Sequence, residues 1–124
     1  MDIIISNSGG RPIYEQIADQ IKGQIISGKL QAGEPLPSMR ALAQDLKISV
    51  ITTKRAYNDL ESDGFIETVA GKGCFVSAKD PGILREGSLK AAEEHIQKAI
   101  DAARRGNITA DELKQMIDIL YESE

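Results

Sequence analysis

Between Ser49 and Cys74 the chain carries a pattern with few structural solutions. A small hydroxyl residue, Ser49, precedes a segment in which Thr53, Ala56, Tyr57 and Leu60 recur at i, i+3, i+4 and i+7, and Gly64 follows it. The spacing predicts a helix of about four turns with one stripe facing a core, an N-cap at Ser49 and a left-handed cap at Gly64. Directly afterwards, Phe65-Ile66-Glu67-Thr68-Val69 and Cys74-Phe75-Val76 are strand-like and are separated by Ala70-Gly71-Lys72-Gly73. That arrangement predicts a tight hairpin with a cationic tip.

The outer face of the helix is chemically distinctive. Advancing about 100° per residue from Thr53 puts Ile51 and Arg55 opposite the buried stripe, with Thr52 and Lys54 on its flanks and Asn58 also outward. Hydroxyls and cations around an exposed isoleucine suit a DNA major groove. There Ser and Thr bond base edges or phosphates, Lys and Arg meet guanine or backbone, and an aliphatic group touches the thymine methyl. A solvated, mildly basic face of an ordinary core helix has the same composition, so this helix alone leaves both readings open.

Its neighbours favour the groove. Leu36 to Leu46 predicts a short helix capped by Ser38, with Met39, Leu42, Ala43 and Leu46 on one face, and Lys47-Ile48 makes a brief turn into the next helix. Two short helices joined this tightly match a helix-turn-helix whose second member enters the groove. The hairpin beside it is then a wing. Its glycines let backbone approach a phosphate or minor groove, and Lys72 supplies charge.

Four stretches together carry a family resemblance. Pro12-Ile13-Tyr14-Glu15-Gln16-Ile17, Gly33-Glu34-Pro35-Leu36-Pro37-Ser38-Met39-Arg40, Tyr57-Asn58-Asp59-Leu60-Glu61 and Gly71-Lys72-Gly73-Cys74-Phe75-Val76 closely resemble the N-terminal domain of GntR-family bacterial transcriptional regulators, in order and at the family's spacing. The resemblance covers roughly residues 10 to 77. It implies DNA contacts from Arg40, from Ser49, Thr52 and Lys54 at the start of the recognition helix, and from Gly71, Lys72 and Gly73 at the wing tip. The helix geometry adds Val50, Ile51 and Arg55 to that set. At two positions the chain departs from the commoner pattern. Val50 stands where many members have arginine or a polar residue, which removes a guanine-reading donor, and Cys74 replaces a threonine in the wing strand.

The remainder of the chain is read around this head. Ile3-Ile4-Ile5 suits a short edge strand, followed by a loop over Ser6 to Gly10. Pro12 opens a helix to about Ser27 with Ile13, Ile17, Ile21 and Ile25 at four-residue steps, and Lys29 to Pro35 is a loop. Tyr14 and Gln16 are expected to make contacts within the fold. Asp80-Pro81-Gly82 breaks the winged domain from a helical tail. In the tail, Leu89, Ala92, Ile96, Ala99 and Ala103 form a narrow seam from about Glu86 to Arg105, and Gly106-Asn107 ends it. A capping box from Thr109 to Glu112 starts a last helix lined by Leu113, Met116, Ile117 and Leu120. Two antiparallel helices alone bury too little, so a second copy is expected on them, in preference to packing against their own winged domain. The tail also resembles that of the YtrA-like subfamily, which implies dimerisation and, often, transporter operons as targets.

Composition limits the alternatives. With 124 residues there is room for one DNA-binding domain and a small appendage, not for a further catalytic domain of usual size. The net charge of -4 weighs against nucleic acid until its distribution is considered. Residues 38 to 79 hold six basic and five acidic side chains, whereas residues 80 to 124 hold six and ten. The acid lies away from the reading head, and affinity is expected to depend on a dimer as well as on charge. Ile3 to Ile5 is too short for a signal peptide, no stretch reaches membrane-spanning length, and the one cysteine fits a reducing compartment, so a cytoplasmic protein is expected. The single histidine, His95, stands on an acidic helix without a catalytic constellation. Gly71-Lys72-Gly73 is too short for a phosphate-binding loop.

The expected fold is mainly α with a small β-hairpin: a winged helix-turn-helix domain over residues 1–79, then a two-helix antiparallel dimerisation region over residues 80–124. The expected function is a homodimeric, sequence-specific regulator of transcription, a repressor on a palindromic operator, with double-stranded DNA as partner and no cofactor, metal or membrane. No small-molecule effector is identified by the sequence. The alternatives are a winged-helix module that binds another protein without specific DNA binding, and a small enzyme, for which no acid, base or nucleophile cluster is found.

Overall fold

The computed structural model describes residues 1–6 and 10–122. The loop expected over Ser6 to Gly10 falls largely on 7–9, outside the described residues. In chain order the elements are α1 (Ile13–Ile26), α2 (Met39–Leu46), α3 (Val50–Ser62), β1 (Ile66–Val69), β2 (Gly73–Val76), α4 (Pro81–Arg105) and α5 (Ala110–Glu122). By packing, the chain divides into one unit from Met1 to Arg85 and a second from Glu86 to Glu124.

The first unit is built on the apolar stripes of its helices. Ile17, Ile21 and Ile25 of α1 meet Leu42 of α2 and Ala56, Tyr57 and Leu60 of α3 in one buried cluster, which Phe65, Ile66 and Val76 of the hairpin close. Each fully buried aliphatic side chain there contributes about 1.5–3 kcal/mol. β1 and β2 pair antiparallel, with Ile66 opposite Val76 and Val69 opposite Gly73. The Val69 carbonyl accepts from Lys72 N–H at 2.9 Å. Gly71, at φ 77°, supplies the left-handed residue that this turn requires.

Three features differ from the sequence expectation or add to it. Ile3–Ile5 joins no sheet; three glutamines one turn apart on α1 bond this segment instead. Gln20 accepts from Ile4 N–H at 2.8 Å and donates to its carbonyl at 2.6 Å, Gln16 does the same for Ser6 at 2.8 Å each, and Gln24 donates to the Asp2 carbonyl at 2.7 Å. Side-chain amides at i, i+4 and i+8 offer a donor and an acceptor at each step, as a strand would. Second, the loop before α2 is pinned to β2: Gly33 N–H donates to Val76, Val76 N–H to Glu34 and Leu36 N–H to Cys74, each at 2.9 Å. Third, α4 begins at Pro81, five residues before the expected start near Glu86. Asp80 Oδ1 accepts from Gly82 N–H at 2.6 Å, and proline occupies the first helical position, where its missing N–H is harmless. Leu84, on this first turn, is buried in the core of the first unit.

In the second unit α4 ends at a Schellman turn. Ile108 N–H donates to Ala103 at 2.8 Å, with Asn107 left-handed at φ 56°. Thr109 and Glu112 form the reciprocal capping box at 3.2 Å in both directions. No residue of α5 is buried, and Met116, Ile117 and Leu120 are exposed. Leu89 and Ile96 are likewise exposed, whereas Ala103 is already buried where the turn folds back. Among the described residues, no helix is long and apolar enough to cross a membrane.

Candidate nucleic-acid interface

The geometry starts with how α2 and α3 are capped and joined. The Ser38 hydroxyl accepts from Ala41 N–H at 3.0 Å, which starts α2 and leaves Arg40 exposed in its first turn. α2 closes with Ile48 N–H on the Ala43 carbonyl at 3.0 Å and Lys47 in the left-handed region at φ 57°. Glycine usually takes that position, so the turn between the helices holds local strain. The Tyr57 hydroxyl then donates to the Pro37 carbonyl at 2.6 Å, tying the middle of α3 to the start of α2. Burial, and secondarily the nearby Cys74, push the Tyr57 phenol well above its ordinary value, so it stays a donor.

With its stripe held, α3 turns the other face outward. Thr53, Ala56 and Leu60 are fully buried, and Tyr57 nearly so, while Ile51 is 81% exposed and Val50 43%. Lys54, Arg55 and Asn58 are exposed too. Ser49 caps the helix by accepting from Thr52 N–H at 3.1 Å, and the Ser49 and Thr52 hydroxyls lie 2.8 Å apart. The two hydroxyls expected to meet DNA therefore already share one hydrogen bond, and Thr52 is half-buried. Each keeps acceptor capacity, but their orientation is set by the cap.

Charge pairing separates two groups of cations in the first unit. Arg11 pairs with Asp19 and Glu15, Lys22 with Asp63 at 2.7 Å and Lys29 with Asp2 at 3.5 Å. Arg40, Lys54, Arg55 and Lys72 are exposed, and among the described residues none has a carboxylate within 4.0 Å. Unpaired cations can neutralise phosphates and so displace the counterions condensed on a nucleic acid. Gly71, Lys72 and Gly73 are exposed at the wing tip. Among the described residues, no three His, Cys, Asp or Glu side chains group as metal ligands.

A further residue reaches this face from α1, and its chemistry is not visible in the sequence. Tyr14, half-buried in the first turn of α1, lies 3.8 Å from the Arg55 guanidinium carbon, measured to the ring centre. Nothing in the helical periodicity signals this contact, because it joins residues forty-one positions apart.

Residues 13–76 match the sequence pattern described as bacterial regulatory proteins, gntR family. The chain belongs to this family. Over 115 residues it is 33% identical to the HTH-type transcriptional repressor YtrA of Bacillus subtilis, covering 93% of this chain and 88% of that protein. YtrA from Sulfolobus acidocaldarius, a GntR-family transcription factor, superposes with a TM-score of 0.59 at 38% identity, over 73% of this chain and 97% of that one. AraR(DBD), solved in complex with operator ORX1, superposes with a TM-score of 0.55 at 28% identity, over 62% of this chain and 96% of that one. As a member of the GntR family the chain is a DNA-binding transcriptional regulator, and the family is not one of enzymes.

Proposed function

We propose that this GntR-family regulator is a repressor that acts as a homodimer in the cytoplasm, each copy laying α3 in a major groove of a two-fold symmetric operator. The outer face of α3 carries the reading: Ile51 is 81% exposed beside unpaired Lys54 and Arg55, on a helix whose opposite stripe is closed off from water. Residues 1–79 form the reading head and residues 80–124 the dimerisation region. In support of a second copy, the second unit leaves Leu89, Ile96, Met116, Ile117 and Leu120 exposed, more apolar surface than two helices alone keep in water. Arg40 and Lys72 serve phosphates, and Ser49, Val50, Ile51, Thr52 and Lys54 approach the bases. A transporter operon is the proposed target. In support, the relative MngR of Escherichia coli, 30% identical over 116 residues and matched over 48% of its length, is named a mannosyl-D-glycerate transport/metabolism system repressor.

The test is to sequence the genomic fragments retained by the purified protein and titrate the recovered motif against a scrambled duplex over a salt series. A palindromic motif, two copies bound per site, and affinity falling linearly in log-log form with salt are expected. No enriched motif and no salt dependence would reject DNA reading and favour a protein partner for the α3 face.

A further inference from the structure

Arg55 is exposed but held. Its guanidinium carbon lies over the Tyr14 ring, 3.8 Å from the ring centre. At that distance the cation is attracted to the ring face, and the contact uses none of the carboxylate- or phosphate-binding capacity of the guanidinium. Tyr14 is itself anchored, since it packs against the core cluster and its hydroxyl donates to Glu15 at 3.3 Å. α1 thus reaches the outer face of α3 through one aromatic side chain. Among the described residues Arg55 has neither a carboxylate nor a hydrogen-bond partner, unlike Arg11, which uses its fork on Asp19 and Glu15.

An arginine stacked on a ring keeps all its donors and loses much of its rotamer freedom, which suits bidentate contact with a phosphate. A lysine over a ring has no planar fork and is held less firmly. We infer that Tyr14 is a positioning residue for DNA binding, which fixes Arg55 against a backbone phosphate beside the groove that α3 enters. Arg55 is then a phosphate contact and not a reader of bases. The interface extends from α3 to the N-terminal end of α1. This rests on the reading of α3 as the groove helix and assigns Tyr14 a role in it.

A random-sequence duplex is the first probe, because a phosphate contact is independent of sequence; the recovered operator motif is the second. Arg55→Ala should lower the log-log salt slope by about one unit on both DNAs. Tyr14→Leu should weaken binding about two- to fivefold on both, the size of an exposed cation–π contact. Tyr14→Phe, which keeps the ring but loses the bond to Glu15, should lose less affinity than Tyr14→Leu. Arg55→Lys should match Tyr14→Leu, since it keeps charge without the stack. In the Arg55→Ala background, Tyr14→Leu should have no further effect on DNA affinity even if it lowers the melting temperature. Additive losses, or a loss in Tyr14→Phe equal to that in Tyr14→Leu, would overturn the positioning role. If Lys72→Ala flattens the slope while Arg55→Ala does not, this inference fails and DNA binding by the winged domain stands. If the wild type shows no salt-dependent binding, both fail.

Discussion

Replacing Tyr57 with Phe removes one oxygen and isolates one bond. In the native chain that hydroxyl donates to the Pro37 carbonyl at 2.6 Å, on a side chain that is 1% exposed. The ring stays packed in the variant, so no large cavity opens. What is lost is a hydrogen bond, together with the hydration that the part-buried Pro37 carbonyl cannot fully recover, about 1–2 kcal/mol. For a unit of this size that lowers the melting temperature by about 4–16 °C. The pH dependence adds a second signature. The folded phenol titrates above its unfolded value of about 10, so its stabilisation is complete below that pH and is lost as pH rises towards the folded value. Above pH ~10 the wild type should lose up to about 1.4 kcal/mol per pH unit relative to the variant. Thermal melts by circular dichroism at neutral pH and over an alkaline series measure both. Equal melting temperatures at pH 7 would show that the bond does not hold α2 to α3. Parallel alkaline curves would show that the phenol ionises freely.

Lys72→Ala should weaken binding to operator and scrambled DNA alike and reduce the log-log salt slope by about one unit, as measured by fluorescence titration; an unchanged slope removes the wing tip from the interface. Ile96→Asp places a carboxylate on the proposed seam, where its desolvation costs several kcal/mol, and sedimentation should then show monomers. A variant that stays dimeric would move the interface off α4. Lys47→Gly relieves a left-handed lysine at φ 57° and should raise stability by up to about 1 kcal/mol, less what glycine's extra chain entropy cancels. A lower melting temperature would mean that the Lys47 side chain stabilises the turn.

Short-range rules explain which elements are legible in the sequence. Ser38 and Ser49 cap their helices, the Thr109–Glu112 box closes as spaced, and Gly64 takes the left-handed position at φ 82°. Each of these depends on groups three to five residues apart, whose geometry the helix itself dictates. The stripe Thr53, Ala56, Tyr57 and Leu60 was legible for the same reason, and all four are buried. Its complement, the exposed face from Val50 to Asn58, followed from the same rotation. The hydroxyl pair of Ser49 and Thr52 was less legible, because a cap residue can also turn its oxygen to a neighbour on the next turn.

The amino-acid sequence alone determined the helices, the hairpin and the face of α3 that meets water, since each follows from periodicity or a cap within one element. Tertiary structure decided which distant groups share a surface. An isoleucine run can satisfy its backbone on a strand or on a column of side-chain amides, and only the position of α1 selects Gln20 for Ile4 and Gln16 for Ser6. Leu84 lies five residues before Leu89 and shares no seam with it, yet the core of the first unit encloses it. Tyr14 meets Arg55 because α1 and α3 pack together, a relation that no spacing within either helix encodes. Side-chain partners across forty residues depend on helix placement, and that placement is the outcome of burying every stripe at once.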